Sequence, residues 1–225
     1  MAQLHELLKN PFDGVMPDDN TGIQNRCSEI AKTLVENYCI KCGDKTFCFG
    51  EIEFYYYKKE KPGGNNYDKD WNRETYPRNK NAGEFFFHYS GVDICFQCHF
   101  EEEAKDNDFG EFGGILIRSL RDGNNILAGP LFCTNAMLNA CKGSLPVLEK
   151  TDCQRCDFSL TTRCGISSDK SLELSLCYYV THVNGKSLEK EWGKASDSLT
   201  WDKNKGMFKP KTRNYKKERH FYEDK

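Results

Sequence analysis

Phe49-Gly50-Glu51-Ile52-Glu53-Phe54-Tyr55-Tyr56-Tyr57 is the segment around which we expect the fold to be built. Its aromatic and branched side chains are typical of a β-strand. Because strand side chains alternate between two faces, the segment carries an apolar set and an acidic set. The apolar set is Ile52, Phe54 and Tyr56, and the acidic set is Glu51, Glu53 and Tyr55. The apolar set predicts a core face. The acidic set fits either the solvated face of an edge strand or the floor of a site that handles a flat ligand.

Length and charge set the first limits on function. A chain of 225 residues can bury a substantial core and is expected to form one domain. Its formal net charge is -2, which argues against a nucleic-acid binder that works by overall charge alone. A local basic groove remains compatible with that balance.

The sequence shows neither a membrane span nor a secretory leader. No apolar run is long enough to cross a bilayer. Residues 1–10 lack a basic start followed by an apolar run, so we expect no signal peptide. We therefore expect a cytoplasmic protein, monomeric, with its 12 cysteines mostly reduced.

Six of the cysteines form three C-x-x-C pairs, which are Cys39/Cys42, Cys95/Cys98 and Cys153/Cys156. The first two pairs lie in segments predicted to be strands. Residues three apart in a strand face opposite sides, so we expect neither pair to hold zinc. The third pair lies in a polar, loop-like segment with Cys164 nearby and is a candidate zinc site. The alternative is that these cysteines are plain reduced thiols, and we predict no metal or other cofactor.

Alternating helix and strand signals predict an α+β protein. The spacing of apolar residues predicts helices over 4–8, 21–35 and 131–140. Runs of aromatic and branched residues predict strands over 38–40, 46–57, 83–98, 113–120 and 172–180. A turn at Gly43-Asp44 predicts a hairpin, and a second break falls at Ser90-Gly91. Residues 58–81 form a long polar segment, which in a compact domain is usually functional or disordered.

The domain organisation follows from the same signals. Residues 1–20 form an N-terminal lead, 21–200 the domain, and 201–225 a basic tail. Aromatic residues interleave with lysines and arginines in the tail. It is either a solvated end or an arm that contacts nucleic acid.

Four blocks in the middle of the chain resemble the alkyladenine (3-methyladenine, or methylpurine) DNA glycosylase family. Glu51-Ile52-Glu53-Phe54-Tyr55 resembles the family's E-T-E-A-Y, and Pro77-Arg78-Asn79 its T-P-R-N segment. Residues 85–97, with Gly91 and Cys95, resemble Y-V-Y-x-x-Y-G-x-x-x-C-x-N. Residues 115–120, then Gly129-Pro130 and Cys133, resemble V-L-I-R-A-x-E-P and G-P-x-x-L-C. The resemblance covers roughly residues 20–145 and implies a single domain built on a curved antiparallel β-sheet with flanking helices.

The resemblance also implies roles for particular residues. Glu53 would be the general base that activates water against the sugar C1′, and Arg118 would support the backbone or the catalytic water network. The alternative for Arg118 is a structural ion pair with Glu51 or Glu53. Tyr55 would stack on one side of the extruded base, and either Phe87 or His88 on the other. Gln97 falls where the family has a gating asparagine.

The implied partner is DNA, duplex or unstacked, contacted by Arg78, Tyr89, Ser90, Lys211 and Arg213. Ser90 stands where the family has an intercalating tyrosine. Serine has too little area to fill the space left by an extruded base, so we predict a preference for bases that are already unstacked. Tyr89 or the segment 58–81 is the alternative source of a wedge.

Two functions are therefore expected. The first is a DNA N-glycosylase of base excision repair that flips a modified base, an alkylated purine, and hydrolyses its N-glycosidic bond. The second is an altered relative that binds nucleic acid or a nucleotide-like ligand without excision. The carboxylate at Glu53 favours the first. Residues 65–71 lack the histidine that the family carries past its catalytic strand, which favours the second.

Overall fold

A computed structural model describes most of the chain. The described residues are 2–15, 19–59, 78–101, 109–123, 125–152, 154–161, 163, 174–195, 199–202 and 207–210. The helices are α1 (Ala2–Lys9), α2 (Asn20–Asn37), α3 (Pro130–Cys141) and α4 (Glu189–Lys194). The strands are β1 (Tyr38–Cys42), β2 (Lys45–Lys59), β3 (Phe85–His88), β4 (Gly91–Cys95), β5 (His99–Glu101), β6 (Phe109–Asp122), β7 (Asn125–Ala128), β8 (Val147–Lys150), β9 (Cys156–Thr161), β10 (Cys177–Val183), β11 (Lys186–Ser187), β12 (Leu199–Asp202) and β13 (Met207–Pro210).

An antiparallel sheet carries the fold. Its central path runs β11-β10-β2-β6-β4-β3, and the sheet curls into a half-barrel. Strands β1, β5, β7, β8 and β9 join it through β2, β6 and β10, while β12 and β13 pair separately. The prediction of an α+β protein on a curved antiparallel sheet is confirmed at this level.

Helix α2 covers one face of the curled sheet. The side chain of Asp19 caps the helix by accepting a hydrogen bond from Gly22 N at 2.8 Å. Its apolar stripe is fully buried with the apolar set of β2; the stripe consists of Ile23, Cys27, Ile30, Ala31 and Leu34. Helix α1 packs into the same core through Leu4 and Leu8.

Gly50 is an extra residue in β2 where that strand pairs with β6. Phe49 pairs with Leu120 and Glu51 with Ser119, so Gly50 has no partner in this ladder. A bulge of this kind shifts the side-chain alternation by one residue. Phe49 therefore lies in the core, although Glu51, two residues on, faces the opposite side of the sheet.

Arg118 is the matching extra residue in β6. Glu51 pairs with Ser119 but Ile52 pairs with Ile117, so Arg118 is skipped. The side chains of Ile117 and Leu120 enter the core on either side of it. The two facing bulges thus aim Arg118 at the acidic side of β2.

The acidic set does not form the solvated face of an edge strand. Strand β2 lies between β10 and β6, and Glu51 and Glu53 are only 1% and 0% exposed. That alternative is wrong because β2 is an interior strand and because side chains of Arg118, Tyr55 and Cys177 cover the two carboxylates on this face. We call the sheet side that carries Glu51, Glu53, Tyr55, Asp93 and Arg118 the polar face.

Most predicted elements are present, with three differences. The strand expected over 172–180 begins at Cys177. The elements that were not predicted are α4, β5, β7, β8, β9, β11, β12 and β13. Strand β2 continues to Lys59, into the segment expected to be loop, and residues 60–77 lie outside the described part of the chain. No helix among the described residues is both long and apolar enough to cross a membrane.

Cys95 and Cys98 do not face opposite sides of a strand. Strand β4 ends at Cys95, the chain turns, and the two thiols hydrogen-bond to each other. That bond, with a backbone hydrogen bond from Gly113 and the charge of the Arg78 guanidinium, lowers the pKa of Cys98 below its ordinary value. The strand-based prediction is wrong here because it assumed that the strand continues past Cys95. Of the third pair, Cys156 is buried in β9, whereas Cys153 and Cys164 lie outside the described residues.

Candidate active site

Arg118 bridges the two glutamates of the polar face. Its Nη1 lies 3.0 Å from Glu53 Oε2, and its Nε donates to Glu51 Oε1 at 3.1 Å. All three side chains are nearly or fully buried, with Arg118 at 11% exposure. A buried carboxylate remains ionised only when a cation or donors replace the lost water. Arg118 supplies that compensation to both.

Tyr55 and Cys177 also contact the two glutamates. The Tyr55 hydroxyl donates a short hydrogen bond to Glu53 Oε1. The Cys177 thiol donates to Glu51 Oε1 at 3.2 Å. Both oxygens of Glu53 are therefore in contact with a protein donor, Oε2 with Arg118 and Oε1 with Tyr55.

The environment makes Glu53 a stronger base than an exposed glutamate. Burial raises the pKa of its carboxyl above the ordinary value, and Arg118 and the Tyr55 hydroxyl counter part of that rise. Burial and the neighbouring Glu53 charge raise the pKa of Tyr55 well above its ordinary value, so Tyr55 stays a donor. Raised carboxyl basicity in a dry site is what general-base chemistry requires.

Arg163 covers the ring of Tyr55. Its guanidinium carbon lies 5.4 Å from the ring centroid, and the side chain is almost fully buried. This is a cation–π distance, and the charge also lowers the pKa of Glu53. The ring of Tyr55 is thus in contact with a cation in the described structure.

A second polar group lies on the same face, on β3 and β4. Arg78 Nη2 lies 3.0 Å from Asp93 Oδ2, and His88 Nε2 lies 3.2 Å from Asp93 Oδ1. The Ser90 hydroxyl lies 2.9 Å from His88 Nδ1. The ring of Phe86 stacks on His88 and also lies under the Arg78 guanidinium.

Strand register aligns the two groups. Asp93 pairs with Leu116, Leu116 with Glu53, and Glu53 with Cys177, in one row across four strands. Adjacent strands are spaced ~4.8 Å apart, so the Cα atoms of Asp93 and Glu53 are separated by about 10 Å. Leu116 is the residue between them. The polar face therefore holds two carboxylates that flank one apolar side chain.

Two apolar clusters border the polar face. One consists of Cys95, Cys98 and Phe112, with Tyr57, Phe86 and Phe100 packed against it. The other consists of Tyr179 and Trp192, with Ile126, Leu188 and Ala195. Because clusters at both ends reduce water access, the charges between them interact more strongly than they would in bulk solvent.

The structure brings together some of the sequence-predicted residues and separates others. Glu53, Tyr55 and Arg118 are in contact, and His88 lies on the same face. Phe87 instead packs against the main core. Arg78 is buried against Asp93. The side chain of Gln97 hydrogen-bonds to the backbone, because its Oε1 accepts a hydrogen bond from Ala82 N at 3.3 Å.

The remaining predicted DNA contacts differ in exposure. Tyr89 is 73% exposed at the hairpin turn, and Ser90 beside it is half-buried against His88. Lys211 and Arg213 lie outside the described residues. Of the predicted wedges, Tyr89 is therefore the one presented to solvent.

Three residues of the site were not singled out from the sequence. Asp93 lies in a segment that the sequence predicts to be a strand. It pairs with Phe86 across the β3–β4 hairpin, so a residue-by-residue pairing of the two strands could have found it. Arg163 and Cys177 come from a region of weak sequence signal. Among the described residues, no group of three or more histidine, cysteine or acidic side chains could hold a metal.

Comparison of the chain with known proteins identified no relative. No protein-family model matches the chain, and neither a curated protein nor a solved structure matches it significantly. The family resemblance therefore rests on the four sequence blocks alone, and the function it implies is a proposal.

Proposed function

We propose that this protein is a DNA N-glycosylase that takes up a modified base, an alkylated purine, and hydrolyses its N-glycosidic bond. Its proposed setting is base excision repair, acting as a cytoplasmic monomer on DNA. The observation that carries the proposal is the buried Glu53 carboxylate, held by Arg118 and Tyr55 on an interior strand.

The chemistry needs one base and one stabilising charge. Glu53 accepts a proton from water as the water oxygen bonds to C1′ and the C1′–N bond breaks, so that the base leaves with a proton taken from solvent. The sugar passes through an oxocarbenium-like state that a nearby carboxylate stabilises. Arg118 offsets part of the rise in the pKa of Glu53 that burial causes, and its ion pair fixes the orientation of the carboxylate oxygens.

The neighbouring groups suit the recognition of a flat ligand. Tyr55 offers a ring tied to Glu53, and His88 offers an imidazole ring on the same face. Leu116 lies between the two groups in the row that joins Glu53 to Asp93. Stacking between aromatic side chains is the usual way in which an extruded base is held.

The test is a panel of oligonucleotides that carry modified bases, in paired and unpaired contexts, followed by alkali to cleave abasic sites. We expect cleavage of at least one substrate by the wild-type protein and its loss in Glu53→Gln. Glu149→Gln is the matched control, because Glu149 is an exposed residue of β8. Equal cleavage by wild type and Glu53→Gln would remove Glu53 from the mechanism.

A second function, binding without excision, is favoured by Arg163. Its guanidinium already lies over the Tyr55 ring on which the base would stack. A cation there suits an anionic or nucleotide-like ligand better than a free purine ring. Retained affinity for modified DNA, with no abasic product from any oligonucleotide of the panel, would favour this function over the first.

A further inference from the structure

The hydrogen bonds on β3 and β4 form a Ser–His–Asp chain. Ser90 Oγ lies 2.9 Å from His88 Nδ1, and His88 Nε2 lies 3.2 Å from Asp93 Oδ1. Arg78 Nη2 lies 3.0 Å from the other oxygen of Asp93. These are the contacts by which a hydroxyl, a general base and an orienting carboxylate make a nucleophile.

The proton positions follow from the partners. Asp93 forms an ion pair with the Arg78 guanidinium, and as a carboxylate it only accepts hydrogen bonds. His88 must therefore donate from Nε2 to Asp93, and neutral His88 then has a lone pair on Nδ1. Ser90 donates its hydroxyl proton to that lone pair. The imidazole is thus held in the tautomer that can deprotonate serine.

Burial decreases along the chain toward the nucleophile. The side chains of Arg78, Asp93 and His88 are 3%, 6% and 9% exposed, whereas Ser90 is half-buried in the hairpin turn. The orienting groups are thus shielded from water, and Ser90 lies in the turn beside the exposed Tyr89. A purely structural turn serine does not need a fixed histidine and a buried ion pair behind it.

Apolar side chains are exposed beside this turn. Gly91 abuts the first turn of α3, since a Cβ built on it would lie 2.9 Å from Pro130 Cβ. Leu131 and Phe132 follow Pro130 in that turn and are 51% and 66% exposed, and Tyr89 next to Ser90 is 73% exposed. We call Tyr89, Leu131 and Phe132 the apolar rim. Exposed apolar area next to a polar site is typical of a ligand-binding surface.

We propose that Ser90, His88 and Asp93 form an acyl-transfer site for esters with an apolar acyl group, separate from the chemistry of Glu53. Ser90 Oγ bonds to the carbonyl carbon as its proton passes to His88 Nδ1. The bond to the leaving alcohol then breaks, and the alcohol takes that proton. Water attacks the acyl-serine with His88 as base, and Ser90 leaves with the proton. The net reaction consumes one water and yields a carboxylic acid and an alcohol.

The first test is covalent labelling with a fluorophosphonate, which needs no DNA and is independent of the glycosylase proposal. The Ser90 oxygen displaces fluoride from phosphorus while the proton passes to His88. We expect peptide mapping of the wild-type protein to place the label on Ser90. His88→Gln should slow labelling at least about 100-fold, the usual contribution of a general base. The mapping needs no variant, so a poorly folded variant does not obscure the result.

Ser144→Ala is the matched control. The Ser144 hydroxyl also lies in a turn but donates to the Cys141 carbonyl at 2.6 Å, with no histidine involved. We expect it to label and hydrolyse like wild type, whereas Ser90→Ala does neither. Absence of label on Ser90, or labelling of Ser90 at an equal rate in folded His88→Gln, would overturn the proposal.

The second test uses p-nitrophenyl esters of increasing acyl length. If the apolar rim holds the acyl chain, kcat/KM should rise by up to about fourfold for each added methylene that becomes buried. Ser90→Ala should abolish the hydrolysis at every length. Hydrolysis that persists in Ser90→Ala would overturn the assignment of the nucleophile, and rates independent of acyl length would overturn that of the substrate class.

Discussion

A Cβ atom built on Gly50 would lie 2.8 Å from Ser119 Oγ, a separation that real Cβ atoms essentially never show. This close approach is where β2 and β6 each carry an extra residue, so that Glu51 and Arg118 turn to the same side of the sheet. The position of the candidate active site thus depends on a glycine with no chemistry of its own.

Gly50→Ala should destabilise the protein by about 1–3 kcal/mol, because the added methyl forces the bulge to shift. Ser119→Ala removes the nearest atom, so the double variant should recover part of that loss. Urea unfolding of the four proteins in a double-mutant cycle measures the coupling. Strictly additive effects would mean that the methyl does not meet Ser119.

Arg118→Met should cost about 3–5 kcal/mol, because it removes the cation that bridges two buried carboxylates. Lys45→Met is the matched control, since the pair of Lys45 with Asp122 at 3.0 Å is largely exposed. Exposed pairs contribute about 0–1 kcal/mol. Equal losses in chemical denaturation would contradict the role of Arg118 as the compensating charge.

Glu53→Gln should stabilise the protein relative to wild type more at neutral pH than at acidic pH. The pKa of Glu53 is raised in the folded state, so the folded protein binds the proton more tightly than the unfolded chain does. Wild type therefore loses stability as the pH rises from the ordinary carboxyl pKa of 4.5 through the folded value. Unfolding free energies across that range, for wild type and variant, test the sign. A constant difference between the two proteins would contradict it.

Base release by Glu53→Gln should fall by a factor on the order of 100 or more, whereas DNA binding survives. Tyr55→Phe removes a donor that lowers the pKa of Glu53, so the acid limb of the pH–rate profile should move to higher pH. Single-turnover excision rates measured against pH separate the two effects. A Tyr55→Phe profile that coincides with wild type would mean that the hydroxyl does not tune Glu53.

Local sequence was a good guide to the elements. The helical spacing that predicts α2 and the turn at Gly43-Asp44 depend on residues close together in the chain, and both are present. The apolar alternation of Ile52, Phe54 and Tyr56 also placed the core face of β2 correctly. Such patterns can be recognised in the sequence because each depends on residues that are close together in the chain, within one or two helical turns or a few positions of a strand.

The acidic set of β2 shows what a local sequence pattern does not predict. Alternation placed Glu51 and Glu53 on one face, but it could not tell whether that face was wet or dry. The answer came from β10 and β6, which flank β2 and come from residues far along the chain. Burial of a strand face is a property of the whole sheet.

The sequence by itself thus determined the elements, the core face of β2 and the presence of Glu53 and Tyr55 two residues apart. Only the tertiary structure decided that Arg118 bridges both glutamates, that Arg163 covers Tyr55, and that Ser90, His88 and Asp93 form one chain of hydrogen bonds. The physical reason is distance along the chain. Periodicity records contacts between near neighbours, whereas these pairings depend on sheet register and on two facing bulges that join residues as far apart as 51 and 118.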